Sequence, residues 1–424
     1  MDTRVGSVVD LGNNSMVSRG TNGVDIHPER ELGALVVYGL STEGFEIAKR
    51  ILQMQPRVII IDENSRLGII LTPEIAKEYS NISFLTDEEL LLNLEPFESA
   101  IINAPMIFFA PRIRKINQDV KNEIIQKFRE LITFLRKDSV IVVNIPLGIG
   151  GNNEIITLIE HQSGLIVGKD IHYYYNPIKA DGEVDRIVVG SSYPRDKVNT
   201  FTNSILTHIN KYKTVQPAIT TSSVVSAEMN YSINVIKKFS VLACINEMSR
   251  LTKLKDDKME IFSKMYKQVY FDEIANGLFD LRMISHSLSS STPLSYLVNG
   301  TIKSIDGYIN SLVDETRSQL KIREIKASRT KVTILWTIDN YEIRGDKAII
   351  RELLESKLRD YIGEVEIQDS NNYIPNSLNN IIIACSNSDY EKIIDKMNSN
   401  INQHHSNYKI IVIAANSTFT SIEI

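Results

Sequence analysis

The stretch "VVYGLSTEGFEIAKR", residues 36–50, has the form of a turn that holds the phosphates of a dinucleotide. An apolar run ends in Gly39, a short polar loop follows, and Gly44 opens an amphipathic stretch. Asp62 stands 23 residues after Gly39 at the end of a second apolar run. That is near the ~20-residue separation expected of a carboxylate that binds ribose hydroxyls. Gly39, Ser41, Gly44 and Asp62 are therefore the candidate contacts for NAD. Two residues disturb the pattern. Ser41 adds a side chain where a glycine would let a pyrophosphate approach the backbone. Glu43 places a carboxylate in the first turn of the following helix, where the helix dipole favours it by ~0.3–1 kcal/mol. There it would occupy the phosphate region or repel a phosphate from it. Two readings stay open, a loop that still cradles NAD and a self-satisfied turn, and Glu43 favours the second.

Other reactive groupings are sparse. The sequence has no C-x-x-C pair, no H-E-x-x-H and no Walker loop, and the adjacent His404 and His405 are a weak metal signal, so no metal is expected. The two cysteines, Cys244 and Cys385, sit in apolar surroundings and read as small buried hydrophobes. No disulfide framework is indicated, which makes a cytoplasmic location the default. The chain has 424 residues, 43% hydrophobic and 23% charged, the balance of an ordinary globular protein with two or three domains. A net charge of −5 argues against bulk nucleic-acid binding. No apolar run approaches the ~20 residues that would cross a bilayer. Residues 1–32, rich in Gly, Asn and Ser, read as a flexible tail without the features of a secretion signal.

The elements that must position these groups alternate. Strand-like runs at 33–39, 57–64, 98–105, 139–146 and 185–192 are interleaved with helical patterns at 42–54, 118–135, 154–164 and 194–211. This alternation predicts a Rossmann-like α/β domain with a mostly parallel sheet over residues 33–215. Residues 222–254 then keep helical spacing for about thirty residues, with Val235, Phe239, Leu242 and Ile245 on one stripe. Further helical patterns at 257–285 and 295–320 complete a central helical segment, 216–328. The basic stretch "KIREIKASRTK", 321–331, leads into a second, smaller Rossmann-like domain, 329–424, with strands at 332–338, 364–369, 379–386 and 408–415 and helices at 346–359 and 388–399.

This order of domains, together with four stretches of sequence, resembles the UDP-glucose/GDP-mannose dehydrogenase family, the nucleotide-sugar dehydrogenases. The stretches are the loop 39–44 with Asp62, "GLIVGKDIHYYYNP" (164–177) ahead of "RIVVGSS", the helix "SAEMNYSINVIKKFSVLACINEM" (226–248) with Ala227, Glu228, Asn246 and Glu247 in matching positions, and the last domain. The resemblance implies NAD in the first domain, the nucleotide of a sugar donor in the last, and a homodimer through the central helices. In such enzymes the sugar's C6 alcohol is oxidised twice through a cysteine adduct, with lysine, asparagine, glutamate and aspartate handling protons and water.

Taken position by position, those groups are mostly replaced. Tyr231 stands at the place of the family's lysine and Val235 at that of the asparagine four residues on. Valine can neither donate a hydrogen bond nor order a water. Pro177 is kept, but Ile178 and Lys179 replace a glutamate and an arginine, and isoleucine cannot transfer a proton. Pro146 takes the place of a threonine. The glycine-rich cysteine loop has no counterpart. With Pro293 aligned to the family's proline, Ser291 stands in for the thiol and Ser295 for the aspartate, and no adjacent base is visible to activate Ser291. In the last domain, Asn340 lies near the family's lysine, and Arg344 and Lys347 lie near its arginine as candidate nucleotide contacts. The leading expectation is a relative that has lost the oxidation chemistry and acts by binding, sensing or assembly. The alternatives are a divergent active enzyme using Tyr231, Ser291 or Lys179, and a purely structural subunit of a larger complex.

Overall fold

The computed structural model describes residues 33–79, 81–87, 92–115, 119–178, 186–192, 200–210, 218–252, 269–373, 379–401, 409–417 and 419–423. The expected tail (1–32), Lys179 and the His404–His405 pair lie outside them. The first half runs β1 (Leu35–Tyr38), α1 (Thr42–Ile51), β2 (Val58–Asp62), β3 (Leu67–Leu71), α2 (Pro73–Glu78), α3 (Ile82–Asp87), β4 (Leu94–Pro96), α4 (Phe97–Asn103), β5 (Met106–Phe109), α5 (Asp119–Ile132), β6 (Val140–Val143), α6 (Gly151–Ser163), β7 (His172–Tyr175), β8 (Arg186–Ser191), α7 (Thr200–Ile209) and β9 (Ala218–Ser223). The second half runs α8 (Val224–Thr252), α9 (Phe271–Ser287), α10 (Pro293–Asp306), α11 (Tyr308–Ile322), β10 (Lys331–Leu335), α12 (Lys347–Arg359), β11 (Glu364–Gln368), β12 (Asn379–Ala384), α13 (Asn387–Ile401), β13 (Lys409–Ala414) and β14 (Ser421–Glu423).

Nine strands form the first sheet in the order β4-β3-β2-β1-β5-β6-β7-β8-β9, and five form the second in the order β11-β10-β12-β13-β14. Both are mostly parallel, as crossover helices require. In the first sheet β1 pairs in parallel with β2 and with β5, so the strand order reverses at β1. Such a switch point places the turn after β1 beside a crevice at the strand ends. The four buried residues of β1, β5 and β6 read as unbroken apolar runs because helices cover both faces.

The sheets are joined by helices rather than by a loose linker. From Ala34 onward the chain is a single compact unit. Tyr231, Val235, Phe239 and Leu242 of α8 share one core with Ile274, Leu278 and Leu281 of α9, with Val332 and Ile334 of the second sheet and with Trp336 just after β10. Phe279 and Met283, on the opposite face of α9, belong to the core of the first sheet. Helix α9 is therefore buried on both faces and ties the two α/β layers together. Gly277 allows the α8–α9 contact, since a Cβ there would fall 1.7 Å from the Phe239 ring.

Several expectations need correction. The run 98–105 is not a strand. Phe97, Ala100 and Ile101 are buried at helical spacing in α4, and the strand is the next run, β5. The helical pattern of 295–320 is two helices, α10 and α11, meeting at Gly307. Strand β9 extends the first sheet beyond residue 215. Cys385 is buried, but Cys244 is exposed. Its neighbours Leu242, Ala243 and Ile245 turn inward and leave position 244 on the outer face of α8 with Met248. The stripe Val235, Phe239, Leu242 and Ile245 is buried, and its first three members are in the chain's own core. The exposed apolar residues of α8 are others, Val225, Met229, Ile233 and Met248.

Candidate functional site

The turn after β1 is built as the sequence suggests. Gly39 has φ +121°, and a Cβ on it would lie 2.4 Å from the carbonyl oxygen of Ala110, so no other residue fits. Ser41 caps α1 by accepting from the Gly44 N–H at 3.0 Å and donates to the Ala110 carbonyl at 2.6 Å. Gly44 packs closely against both. The serine that interrupts the fingerprint is thus fully buried and spends its hydroxyl on the turn itself.

The first N–H groups of α1 would be the anion site of such a loop. Here each has an internal partner. Thr42 N donates to the Tyr341 carbonyl at 2.9 Å, Glu43 N to its own carboxylate, and Gly44 N to Ser41. The Glu43 carboxylate also accepts from the Ile343 N–H at 2.8 Å. Burial raises the Glu43 pKa from its ordinary value, and Arg344 and these N–H donors oppose the rise. Asp62 is engaged locally as well. Its two oxygens accept from Asn64 N (3.0 Å) and Ser65 N (3.2 Å), which closes the tight β2–β3 turn. The neighbouring Glu63 accepts from Leu40 N and Arg112 N and pairs with Lys127.

Tyr341 and Ile343 belong to residues 339–345, a strap between β10 and α12. Arg114 donates to the carbonyls of Asn340 and Glu342, both at 2.7 Å, and Ile113 N donates to the Ile343 carbonyl at 2.8 Å. A Cβ on Gly345 would lie 2.4 Å from the Ile113 carbonyl oxygen, so the strap and the segment after β5 meet backbone to backbone. The strap thus covers the turn after β1.

The strap carries Arg344 inward. Its guanidinium, 3% exposed, meets the fully buried Asp280 of α9 through Nε–Oδ1 (2.9 Å) and Nη2–Oδ2 (3.1 Å). Nη2 also donates to the Ile178 carbonyl at 2.8 Å and lies 3.3 Å from the Tyr231 hydroxyl. Tyr231 donates to Asp280 Oδ2 at 2.7 Å. Burial acts to lower the Arg344 pKa, but Asp280 and Tyr231 outweigh it and hold it above its ordinary value. Burial and then Asp280 push the Tyr231 phenol well up, so it stays a neutral donor. Lys347 is likewise matched, at 2.8 Å from Asp272 and 2.7 Å from Glu342, and Asp272 also accepts from the Trp336 indole. Burial, with Asp272 and Glu43 nearby, raises Glu342 to about 7 despite Lys347.

Nearby, Glu228 of α8 fills the start of α6. It accepts from Gly150 N, from Asn152 N (3.1 Å) and from the Asn152 side chain (2.6 Å), whose oxygen in turn accepts from Tyr173. Pro146 is buried in the loop ahead of this helix start. Val235 faces the helical core. Ser291 is exposed before α10 and is 3.5 Å from Ser289, with no general base bonded to it among the described residues. Ser295 lies one turn into α10, where its N–H bonds the Thr292 cap. The structure thus brings together Gly39, Ser41, Gly44, Ile178, Tyr231, Arg344 and Lys347, and leaves Ser291 and Val235 apart from that cluster. Asp280, Arg114 and the strap carbonyls were not among the expected groups. The signal for Asp280 was available: an acid between Phe279 and Leu281 on an apolar helix needs a cation. Among the described residues no group of His, Cys, Asp and Glu side chains could hold a metal ion, and no helix is long and apolar enough to cross a membrane.

Two Rossmann-type sheets bridged by a long helix, with a phosphate-type turn at the switch point, define the fold class of the nucleotide-sugar dehydrogenases. No protein-family model matches the chain, and no curated protein sequence does. Solved structures do. The UDP-D-ManNAc dehydrogenase of Pyrococcus horikoshii matches with a TM-score of 0.57 at 14% identity, over 83% of this chain and 88% of that one. A UDP-glucose dehydrogenase from Pyrobaculum islandicum matches with a TM-score of 0.57 at 14% identity, over 91% and 95%. The NDP-N-acetyl-D-galactosaminuronic acid dehydrogenase of Methanosarcina mazei Go1 matches with a TM-score of 0.52 at 13% identity, over 84% and 86%. At these identities the likeness is one of fold.

Two outcomes are expected. Asp280→Asn leaves Arg344 buried without a counter-charge and should cost ~3–5 kcal/mol in urea unfolding, whereas Asp280→Leu combined with Arg344→Met should recover most of that. Glu342 binds its proton more tightly in the folded state than in the unfolded one. Its contribution is therefore complete below about pH 4.5 and is lost as pH rises through about 7. The melting temperature of the wild type should fall relative to Glu342→Gln between about pH 5 and pH 8, and equal pH profiles for the two would refute this.

Proposed function

We propose that this chain is a non-catalytic relative of the nucleotide-sugar dehydrogenases that acts by binding or assembly. The observation that supports the reading is that the chain's own groups meet the turn after β1 and the buried cations beside it. The strap 339–345 lies on the dinucleotide turn, and Arg344, Asp280 and Tyr231 form a closed ion-pair cluster where lysine-based proton transfer would be needed. Tyr231 is held neutral as a donor to Asp280, so it cannot take over as a general base near neutral pH. Among the described residues no base is bonded to Ser291 to activate it. Arg344 and Lys347, the candidate nucleotide contacts, are neutralised by internal carboxylates. These features favour a binding or assembly role over the rival reading of a divergent enzyme.

The test is to incubate the purified chain with NAD and UDP-glucose, UDP-N-acetylmannosamine or GDP-mannose and follow absorbance of the reduced cofactor. No turnover is expected, and rates in the enzymatic range of ~1–10³ s⁻¹ would overturn the reading. Calorimetry with NAD, UDP and UDP-glucose separates a nucleotide sensor, which gives heat with at least one, from a purely structural subunit, which gives none.

We further infer a homodimer through the outer face of the central helices. Val225, Met229, Ile233 and Met248 of α8 and Tyr296 and Leu297 of α10 are all exposed, with Tyr296 at 68%. Large exposed apolar patches mark interaction sites. Light scattering should give twice the chain mass for the wild type and the single-chain mass for Ile233→Asp. A wild-type monomer at micromolar concentration would remove this inference.

A further inference from the structure

A pocket of about 80 Å³ lies between α9, the α10–α11 corner and α12. Its walls are apolar, with Ile274 and Leu278 from α9, Ile305 and Ile309 from the corner, and Ile350 from α12. Ile349 and Leu353 line it from the outer side of α12 and are 42% and 46% exposed. Three charged groups complete the lining: Arg282, Asp306 and Asp346.

Asp346 is unusual among them. It precedes the first residue of α12, where an aspartate ordinarily bonds the free N–H groups of its own helix. It makes no such bond. Instead it turns to Arg282, whose Nη1 meets Oδ2 at 2.8 Å. The residue is only 4% exposed, and its second oxygen, Oδ1, has no hydrogen-bond partner. A buried carboxylate oxygen without a donor is costly, by ~1–3 kcal/mol or more. Arg282 cannot compensate fully, because its Nη2 is shared with Asp306 at 3.2 Å. The three groups together carry one negative charge more than they carry positive.

We propose that this pocket binds a small aliphatic ammonium compound, with the alkyl chain among the isoleucines and the ammonium donating to Asp346 Oδ1 and facing Asp306. The charge count selects a cation, the missing donor selects an N–H group, and the walls select an unbranched apolar body. Oδ1 has no contact with solvent, so the ligand enters as lining side chains turn aside, and the half-exposed Ile349 and Leu353 have the freedom to do so. The site adjoins the end of the strap, since Asp346 follows Gly345, but the proposal does not depend on nucleotide binding.

The probe is n-pentylammonium chloride, titrated calorimetrically into the full chain, with 1-pentanol and sodium pentanoate as the neutral and anionic counterparts. Saturable binding of the ammonium with Kd on the order of 1 mM is expected for a ligand of this size. Pentanol should bind at least about tenfold more weakly, and pentanoate still more weakly, since it lacks the donor and carries the wrong charge. Asp346→Asn should weaken the ammonium about tenfold or more. Leu353→Lys, a change at a half-exposed position, places the protein's own ammonium at the mouth and should do the same while leaving the melting temperature near that of the wild type. The proposal is overturned by an absence of saturable binding at about ten times the expected Kd. It is also overturned if pentanol binds as well as the ammonium, or if the folded Leu353→Lys variant binds like the wild type.

Discussion

The contact on which the rest depends is the buried pair of Arg344 and Asp280. A guanidinium out of water is tolerable only when its donors are met, and this one is met by a carboxylate, a backbone carbonyl and a phenol from three separate elements. Satisfying it fixes α8, α9 and the loop after β7 around one point. It also fixes the course of the strap that carries Arg344, and so the positions of Ile343 and Tyr341, one and three residues away. Their backbone groups then meet the start of α1, the Tyr341 carbonyl accepting from Thr42 N and Ile343 N donating to the Glu43 carboxylate. The two α/β layers are thereby held as one, because separating them exposes a charge pair and several backbone groups that have no other partners in the interior.

A second regularity follows from the same electrostatics. Helix starts and buried cations attract anions, and in a nucleotide-binding protein those anions come from the ligand. In this chain four such groups are matched from within. Glu43 sits at the start of α1, Glu228 at the start of α6, Asp280 on Arg344, and Asp272 and Glu342 on Lys347. The pattern recurs across groups that are far apart in sequence. The amine-type pocket has the opposite character. There, an internal carboxylate is left short of a donor.

Much of the architecture was legible in the chain. Apolar runs ending in Gly39 and Asp62, and the thirty-residue helical pattern from 222, are long or strongly periodic, and local geometry decides them. The misreadings have specific causes. The run 98–105 mixes alanines and isoleucines that suit a helix or a strand, and contact with the sheet settled it as α4. Cys244 looks buried by its neighbours' types, yet on a helix adjacent residues point about 100° apart, and its own direction is outward. The stripe on α8 was visible, but a stripe alone does not say whether its partner is another element of the same chain or a second chain. Here most of it packs on α9, whose Gly277 is shaped to receive Phe239.

The sequence by itself determined the two α/β layers, the long helix between them and the glycine turn after the first strand. These follow from residue type and short-range spacing, which act within a few turns of helix or a single strand. Only the tertiary structure decided what happens to the turn. Glu43 and Ile343 are 300 residues apart, as the chain is numbered, and Arg344 and Asp280 are 64 apart. Nothing local links them. They meet because buried charges and unpaired N–H groups must find partners once the core has formed, and in this fold the nearest partners are each other.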